Sequence, residues 1–347
     1  MKPSIPRAFA KLRIRAARIL LVAVTCFGTS TTDAQQLQLS PQLQNNLRFL
    51  HVGLVGGRVN ATSSYSGRSF TSTSQSKDRQ ESLKVDMNGA APAVDYQLTT
   101  DGFKVGVQLT AGNDLHIVRT PTNGSSAVLF ELHQPAEGRV TVIVGNEKIQ
   151  ADSLWHILLA KPDLAKNELE PMLRLLRPGW PLVSQARAVE EALYKQVDAT
   201  AKFDRKAWSE LVAKLSSGKY LEREEADRRL RELGQAIVPY LKNLNPSQLD
   251  AEQMFRIRAI ARRYESEENE DNADAAAGWL AADADIWYVL ASRSDASQRA
   301  LVKTQLERIL GEAVELDPTA AGETLQTQLN KIREQIDRRK AADAGGK

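Results

Sequence analysis

Residues 94–117 read VDYQLTTDGFKVGVQLTAGNDLHI, and their alternation of apolar and polar side chains around Asp101-Gly102 and Gly112-Asn113 decides how the first half of the chain folds. A period of two places successive side chains on opposite faces of a strand, and Asp-Gly is a two-residue hairpin turn. A turn centred on Asp101-Gly102 sets Tyr96 opposite Val107 and Leu98 opposite Val105, while Asp95 meets Gln108 on the other face. A loop centred on Gly112 then sets Leu109 against Leu115 and Val107 against Ile117. A slip of one residue would exchange the faces, so agreement across successive turns is a test of register.

The same arithmetic extends in both directions. The Asn123-Gly124 turn predicts Ile117 opposite Phe130 and Leu115 opposite Leu132; a loop centred on Glu137 sets Leu132 opposite Val142, and Gly145-Asn146 sets Val142 opposite Ile149. Upstream, the Asn88 to Ala93 loop predicts Val85 opposite Tyr96. These pairs describe an antiparallel β-meander over residues 47–151, of seven strands, or eight if the run Leu50, Val52, Leu54 joins it. The Ser/Thr-rich stretch Ala61 to Ser76 reads as a long loop between them. Its apolar face requires cover, by closure into a small barrel, by a partner sheet or by the helices that follow. An outer-membrane barrel does not fit, because such strands need about ten residues each.

On the polar face, the expected register brings Asp114 opposite His133 and His116 opposite Glu131. Imidazole and carboxylate groups from adjacent strands are Zn²⁺ ligands, so Asp114, His116, Glu131 and His133 are candidate metal ligands; two cross-strand polar pairs are the simpler reading.

After Ala151 the period becomes helical, from Trp155, Leu158 and Leu159 through Leu169, Met172 and Leu176 to a stop at Arg177-Pro178-Gly179, with further amphipathic segments to about residue 340. Two of these segments match. Trp208 and Leu211 precede Arg223, Ala226, Leu230, Leu233 and Gly234; Trp287 and Leu290 precede Arg299, Val302, Leu306, Ile309 and Gly311. Spacing from the Arg onward is the same through the fourth marker, as expected of paired helices that stack on neighbouring pairs. With Pro239 opening the Tyr240-Leu241 stretch, residues 208–311 resemble HEAT-like repeats of secreted bacterial proteins. The sequence departs from that pattern in the acidic stretch Glu265 to Asp274, which lacks the Gly-centred spacing of a calcium loop and reads as a solvated linker. Arg256, Arg258, Arg262 and Arg263 precede it as a local basic patch. The two periodicities together predict an α+β protein with an α-helical HEAT-like domain over residues 152–340, and the resemblance implies a binding or scaffolding surface with no reaction attached.

Residues 1–34 read as a secretory signal peptide: Lys2, Arg7, Lys11, Arg13, Arg15 and Arg18 lead into the apolar run Ile19 to Val24 and a small-residue end at Ala34. That run is shorter than the roughly twenty residues a spanning helix needs. Cys26 lacks the preceding Leu and small residue of a lipoprotein signal. Residues 35–46 read as a linker and 341–347 as a tail. Of 46 basic and 43 acidic residues, the leader holds six and one, which leaves 40 against 42 and no global attraction for nucleic acid or anionic membranes. A composition of 42% hydrophobic and 26% charged residues excludes wholesale disorder, and the single Cys excludes a disulfide scaffold.

No phosphate-binding Gly loop, nucleophile elbow or zinc Cys cluster occurs in the sequence. The expectation is therefore an exported, non-enzymatic scaffold of the cell envelope, periplasmic or extracellular, without a cofactor. Its helical repeats bind an envelope or extracellular protein, not nucleic acid, and the mature chain makes no stable membrane insertion. Two alternatives remain: a carrier of a small apolar ligand lined by Tyr96, Val107, Ile117, Phe130 and Val142, and a metal-dependent hydrolase using the His116 cluster.

Overall fold

A computed structural model describes residues 37–64, 67–125, 127–198, 205–242, 244–266 and 272–345; the leader, Cys26 and the centre of the acidic stretch lie outside the described residues. The protein is α+β, an antiparallel sheet in the N-terminal half followed by helices. Strands β3 (Ser69–Gln75), β4 (Arg79–Asp86), β5 (Ala93–Thr100), β6 (Phe103–Thr110), β7 (Asp114–Pro121), β8 (Phe130–Gln134), β9 (Val140–Val144) and β10 (Glu147–Ala151) pair in sequence order as one open sheet of eight, with β3 and β10 at its edges. One apolar row crosses it, from Leu83 through Tyr96, Val107, Ile117, Leu132 and Val142 to Ile149.

The register around Asp101-Gly102 and Gly112 is as predicted, and so are the Leu132–Val142 and Val142–Ile149 pairs. Two hairpins differ by two residues. Ile117 opposes Leu132, not Phe130, which opposes Arg119; Val85 opposes Val94, not Tyr96. Both lie at the longer loops, residues 122–129 and 87–92, where no two-residue turn pins the strands. An even slip keeps every side chain on its face, so the hydrophobic pattern alone cannot detect it.

The eighth strand is not the predicted one. β1 (Leu50–Val55) pairs with β2 (Arg58–Ser63) in a separate hairpin turned at Gly56-Gly57, and the Ser/Thr-rich stretch, predicted as a loop, supplies part of β2 and the edge strand β3. β3 has no buried residue, so it carries no apolar period; its threonines favour the strand and a polar edge resists further pairing.

Three elements cover the apolar face of the sheet. The predicted linker is instead helix α1 (Pro41–Leu47), whose Leu43 and Leu47, with Leu37 and Leu39 before it, enter the core. The β1–β2 hairpin buries Val52, Leu54, Val59 and Ala61. Third come α2 (Leu154–Ala160) and a broken helical run of α3 (Pro162–Leu164), a π turn (Ala165–Leu169) and α4 (Glu170–Leu173). Then follow α5 (Leu182–Asp198), α6 (Arg205–Lys214), α7 (Tyr220–Glu232), α8 (Val238–Lys242), α9 (Ala251–Ser266), α10 (Ala273–Leu280), α11 (Ala284–Arg293), α12 (Ala296–Leu310) and α13 (Gly322–Gly345). The last runs through 341–345, part of the predicted tail. Sheet, hairpin and most helices share one hydrophobic core, while α6 to α9 build a smaller one around Trp208, Leu230, Tyr240 and Ile260.

Gly57 fixes the hairpin on the helices. Its φ of +67° is left-handed, its carbonyl accepts the Leu154 N–H at 2.8 Å, and a Cβ there would stand 2.5 Å from the Ser153 Cβ. Gly57→Ala is expected to cost about 2 to 4 kcal/mol from backbone strain plus overpacking. Gly179→Ala, with φ +76° and open space around it, should show the backbone share alone. Equal unfolding midpoints in urea for the two variants would refute the clash.

Candidate functional site

The predicted metal candidates lie on the outer face of β7 and β8. The two-residue slip sets His116 opposite His133, with ring centroids 5.4 Å apart, and leaves Asp114 beyond the end of the β7–β8 ladder. His116 Nε2 still meets Glu131 Oε1 at 2.9 Å, with side chains 41% and 28% exposed. The structure thus pairs His116 with Glu131 and stacks His133 on His116, and Asp114 faces Thr110 on β6 instead.

A different polar group converges at the corner where the sheet passes into the helices. Asp152 and Ser153 form the turn between β10 and α2; His156 is on the first turn of α2; Asp283 caps α11 through the Asp285 N–H at 2.9 Å; Arg333 and Lys340 reach in from α13. Ser153 Oγ lies 2.8 Å from His156 Nδ1, and His156 Nε2 lies 3.1 Å from Asp283 Oδ2. Arg333 Nη1 meets Asp285 Oδ1 at 2.6 Å, and Lys340 Nζ bonds the other oxygen of the same carboxylate. Burial disfavours charge on His156, but attraction to Asp283 and the hydrogen bond donated to its carboxylate outweigh it, so its pKa is raised above the usual histidine value. Burial acts on Asp283 in the opposite sense and is also outweighed, by the charge and hydrogen bond of His156, so its carboxyl is held below the usual range. Both shifts favour the charged forms, an imidazolium against a carboxylate.

That charge state decides what the group can do. Ser153, His156 and Asp283 follow the order of a nucleophilic triad, but the raised pKa of His156 disfavours the neutral imidazole that would take a proton from Ser153. Ser153 is also 2% exposed, beneath Gly57. Ligand atoms of Asp152, His156 and Asp285 lie within 4.8 Å of one another, yet Asp285 is neutralised by Arg333 and Lys340, and both nitrogens of His156 are engaged. A metal would have to displace Lys340 and break the His156–Asp283 bond. The arrangement is an ionic interlock joining the sheet corner, α11 and α13. Sequence reasoning missed it because the partners are 127 residues apart. The available signal was a lone histidine inside the apolar run Trp155 to Leu159, with an Asp-Ala-Asp cap ahead of Ile286-Trp287.

The repeat markers take corresponding places in two helix hairpins, α6–α7 and α11–α12. Trp208 and Trp287 are buried on the first helices, and Ala226 with Leu230 match Val302 with Leu306 on the second. Arg223 Nη1 donates to the Ser217 carbonyl and Arg299 Nη2 to the Ser294 carbonyl, both at 2.7 Å, so each arginine holds the loop before its own helix. Gly234 and Gly311 end the second helices with φ of +69° and +71°.

Helices α7 and α9 lie side by side and run in the same direction. Arg223 approaches Glu252 at 3.9 Å, Arg256 bonds Glu224 at 2.8 Å, and the Tyr264 hydroxyl donates to the Arg231 carbonyl; contacts ascend together in both helices, with offsets of 32 and 33 residues in the last two. At this seam Tyr220, Leu221 and Phe255 are 62%, 80% and 71% exposed. Of the predicted basic patch, Arg256 is bound by Glu252 and Glu224, whereas Arg258 and Arg262 are exposed. Comparison with known protein families, curated proteins and solved structures gives no match for this chain.

The interlock gives a pH dependence. His156, with a raised folded-state pKa, contributes stability that is complete below its unfolded value of about 6.5 and is lost as pH rises through the folded value. Asp283, with a lowered one, contributes stability present above about pH 3.9 and lost as pH falls through its folded value. Thermal unfolding is therefore expected to peak between these limits. His156→Gln, which retains hydrogen bonding without the charge, should remove the decline on the alkaline side. An identical alkaline limb in both proteins would show that the pair is not ionic.

Proposed function

We propose that the protein is an exported, non-enzymatic scaffold of the cell envelope that binds a partner protein through its helical domain, residues 152–340, built in part from HEAT-like helix pairs. The observation that carries this reading is the parallel packing of α7 on α9 at an offset of about 32 residues, with the Trp, Arg, Leu and Gly markers in corresponding places in two helix hairpins. Helix hairpins of recurring pattern are the units of repeat proteins, whose extended surfaces are used for binding. Export is supported by the basic, apolar and small-residue order of residues 1–34. Among the described residues no helix is long and apolar enough to cross a membrane. The carrier reading is not favoured: Tyr96, Val107, Ile117, Phe130 and Val142 are all buried in the core that an open sheet shares with the helices.

Crosslinking of the tagged full chain in the cells that produce it, followed by mapping of the joined peptides, tests the reading. Reproducible crosslinks from residues 205–310 to one envelope protein are expected. Crosslinks confined to the sheet, or none that recur, would reject the scaffold.

A further inference from the structure

We infer that the exposed seam of α7 and α9 docks an acidic amphipathic segment of a protein partner; this rests on the scaffold reading and gives that partner its chemistry. Of the four large hydrophobic side chains that stand exposed among the described residues, Leu129, Tyr220, Leu221 and Phe255, three belong to these two helices. Single exposed apolar residues are ordinary, but a group of them on adjacent elements marks an interaction surface. Contacts of their neighbours bring the two helices side by side at these positions. The Arg223 guanidinium lies over the Tyr220 ring at 5.8 Å and approaches Glu252 at 3.9 Å; Phe255 is one helical turn beyond Glu252. Glu224, one turn beyond Leu221, bonds Arg256, the neighbour of Phe255. None of the three serves the small core beneath, which Trp208, Ala226, Leu230, Ile257 and Ile260 fill from the other side of these helices.

The charge around the seam selects the partner. Arg228, Arg229, Arg231 and Arg256 are each matched by carboxylates of Glu225, Glu232, Asp227, Glu224 or Glu252. Arg258 and Arg262 fall one and two turns beyond Phe255 on the same exposed face of α9, and no carboxylate of the described residues pairs with them. The seam is thus apolar at its centre and positive at one end. Two unmatched guanidiniums are too few to track a phosphate backbone or an anionic bilayer, which reward a run of cations. A second copy placed on the same patch would bring no unengaged carboxylate to Arg258 and Arg262, because Glu222, Glu224, Glu225, Asp227 and Glu252 already pair with Lys219 or arginines. An amphipathic helix with an apolar stripe over Tyr220, Leu221 and Phe255 and carboxylates over Arg258 and Arg262 satisfies both features.

Two labelled peptides of about 18 residues, five helical turns, with the same leucine stripe and either Glu or Lys on the polar face, test this by fluorescence anisotropy on the mature full chain. The Glu peptide is expected to bind about tenfold more tightly than the Lys peptide. Phe255→Ser, and separately Arg258→Glu with Arg262→Glu, should each weaken it about tenfold, whereas Leu129→Ser on the sheet should not. These are exposed positions, and unchanged unfolding curves confirm that the variants remain folded. Equal binding of the two peptides, no binding of either, or insensitivity to the α9 variants overturns the inference. The scaffold reading survives that failure if in-cell crosslinks still map to α11 and α12, and falls with it if none map to the helical domain.

Discussion

His156 lies between Ser153 and Asp283 in a place where solvent barely reaches, with the two paired side chains 8% and 14% exposed, and its raised pKa favours the charged pair. Taking such a pair out of water costs several kcal/mol per ion before their attraction repays it, so net stability is a poor explanation for its presence. Its consequence is positional. The Asp152-Ser153 turn fixes where the sheet ends, Gly57 seats the β1–β2 hairpin on that same serine, and Asp283 sets the start of α11. Lys340 and Arg333 then draw α13 onto Asp285. Losing one partner leaves the other charge buried and alone, at a cost of about 3 to 5 kcal/mol. Elements distant in sequence are therefore locked to one corner in one arrangement.

The sheet follows the same logic on its covered face. Among the polar side chains on that face, Glu81, Arg119 and Gln134 each recruit a different covering element. Glu81 accepts from the Ser40 N–H ahead of α1, from Arg79 and from the Tyr96 hydroxyl at 2.8 Å. Burial opposes its ionisation, but these donors hold it below the usual carboxylate range, and the same surroundings push the Tyr96 phenol far above its own. Arg119 reaches Glu168 on the π turn at 2.8 Å. The Gln134 amide both accepts from and donates to the backbone of Val59, standing in for a strand partner of β2. A purely apolar face would bury as much area but would accept many placements of its cover; polar side chains with directional bonds accept few.

How much of this could be read from the sequence depended on the range of the interactions. Tyr96 on Val107 and Leu109 on Leu115 were legible because tight turns and a period of two are local properties. The β7–β8 pairing was misplaced by two residues because the longer loop fixes no register, and that slip dissolved the expected Asp114–His133 pair. β3 was illegible as a strand because Phe70 is its one apolar residue, and α1 because seven residues are too few to show a period. The interlock depends on contacts such as Ser153–His156, which is local, and His156–Asp283, which is not; only the fold brings the second together.

The two cores divide the mechanical roles. α10 packs along α5 in the larger core and also meets the turn at Gly234–Ile237 and α8 in the smaller one. At its end Ala281 belongs to the first core and Ala282 to the second. The carbonyl of Ala281 accepts from both Trp287 and Gln305, at 2.8 and 2.9 Å, so this junction is tied into the α11–α12 hairpin, whose first helix begins at the ionic corner. The smaller core is thereby tied through α10 to the helix hairpin that begins at the ionic corner. A surface carried on such a mount loses little conformational entropy when it is covered, because its own helices are already ordered. The exposed aromatic and aliphatic side chains of α7 and α9 stand where that condition is met.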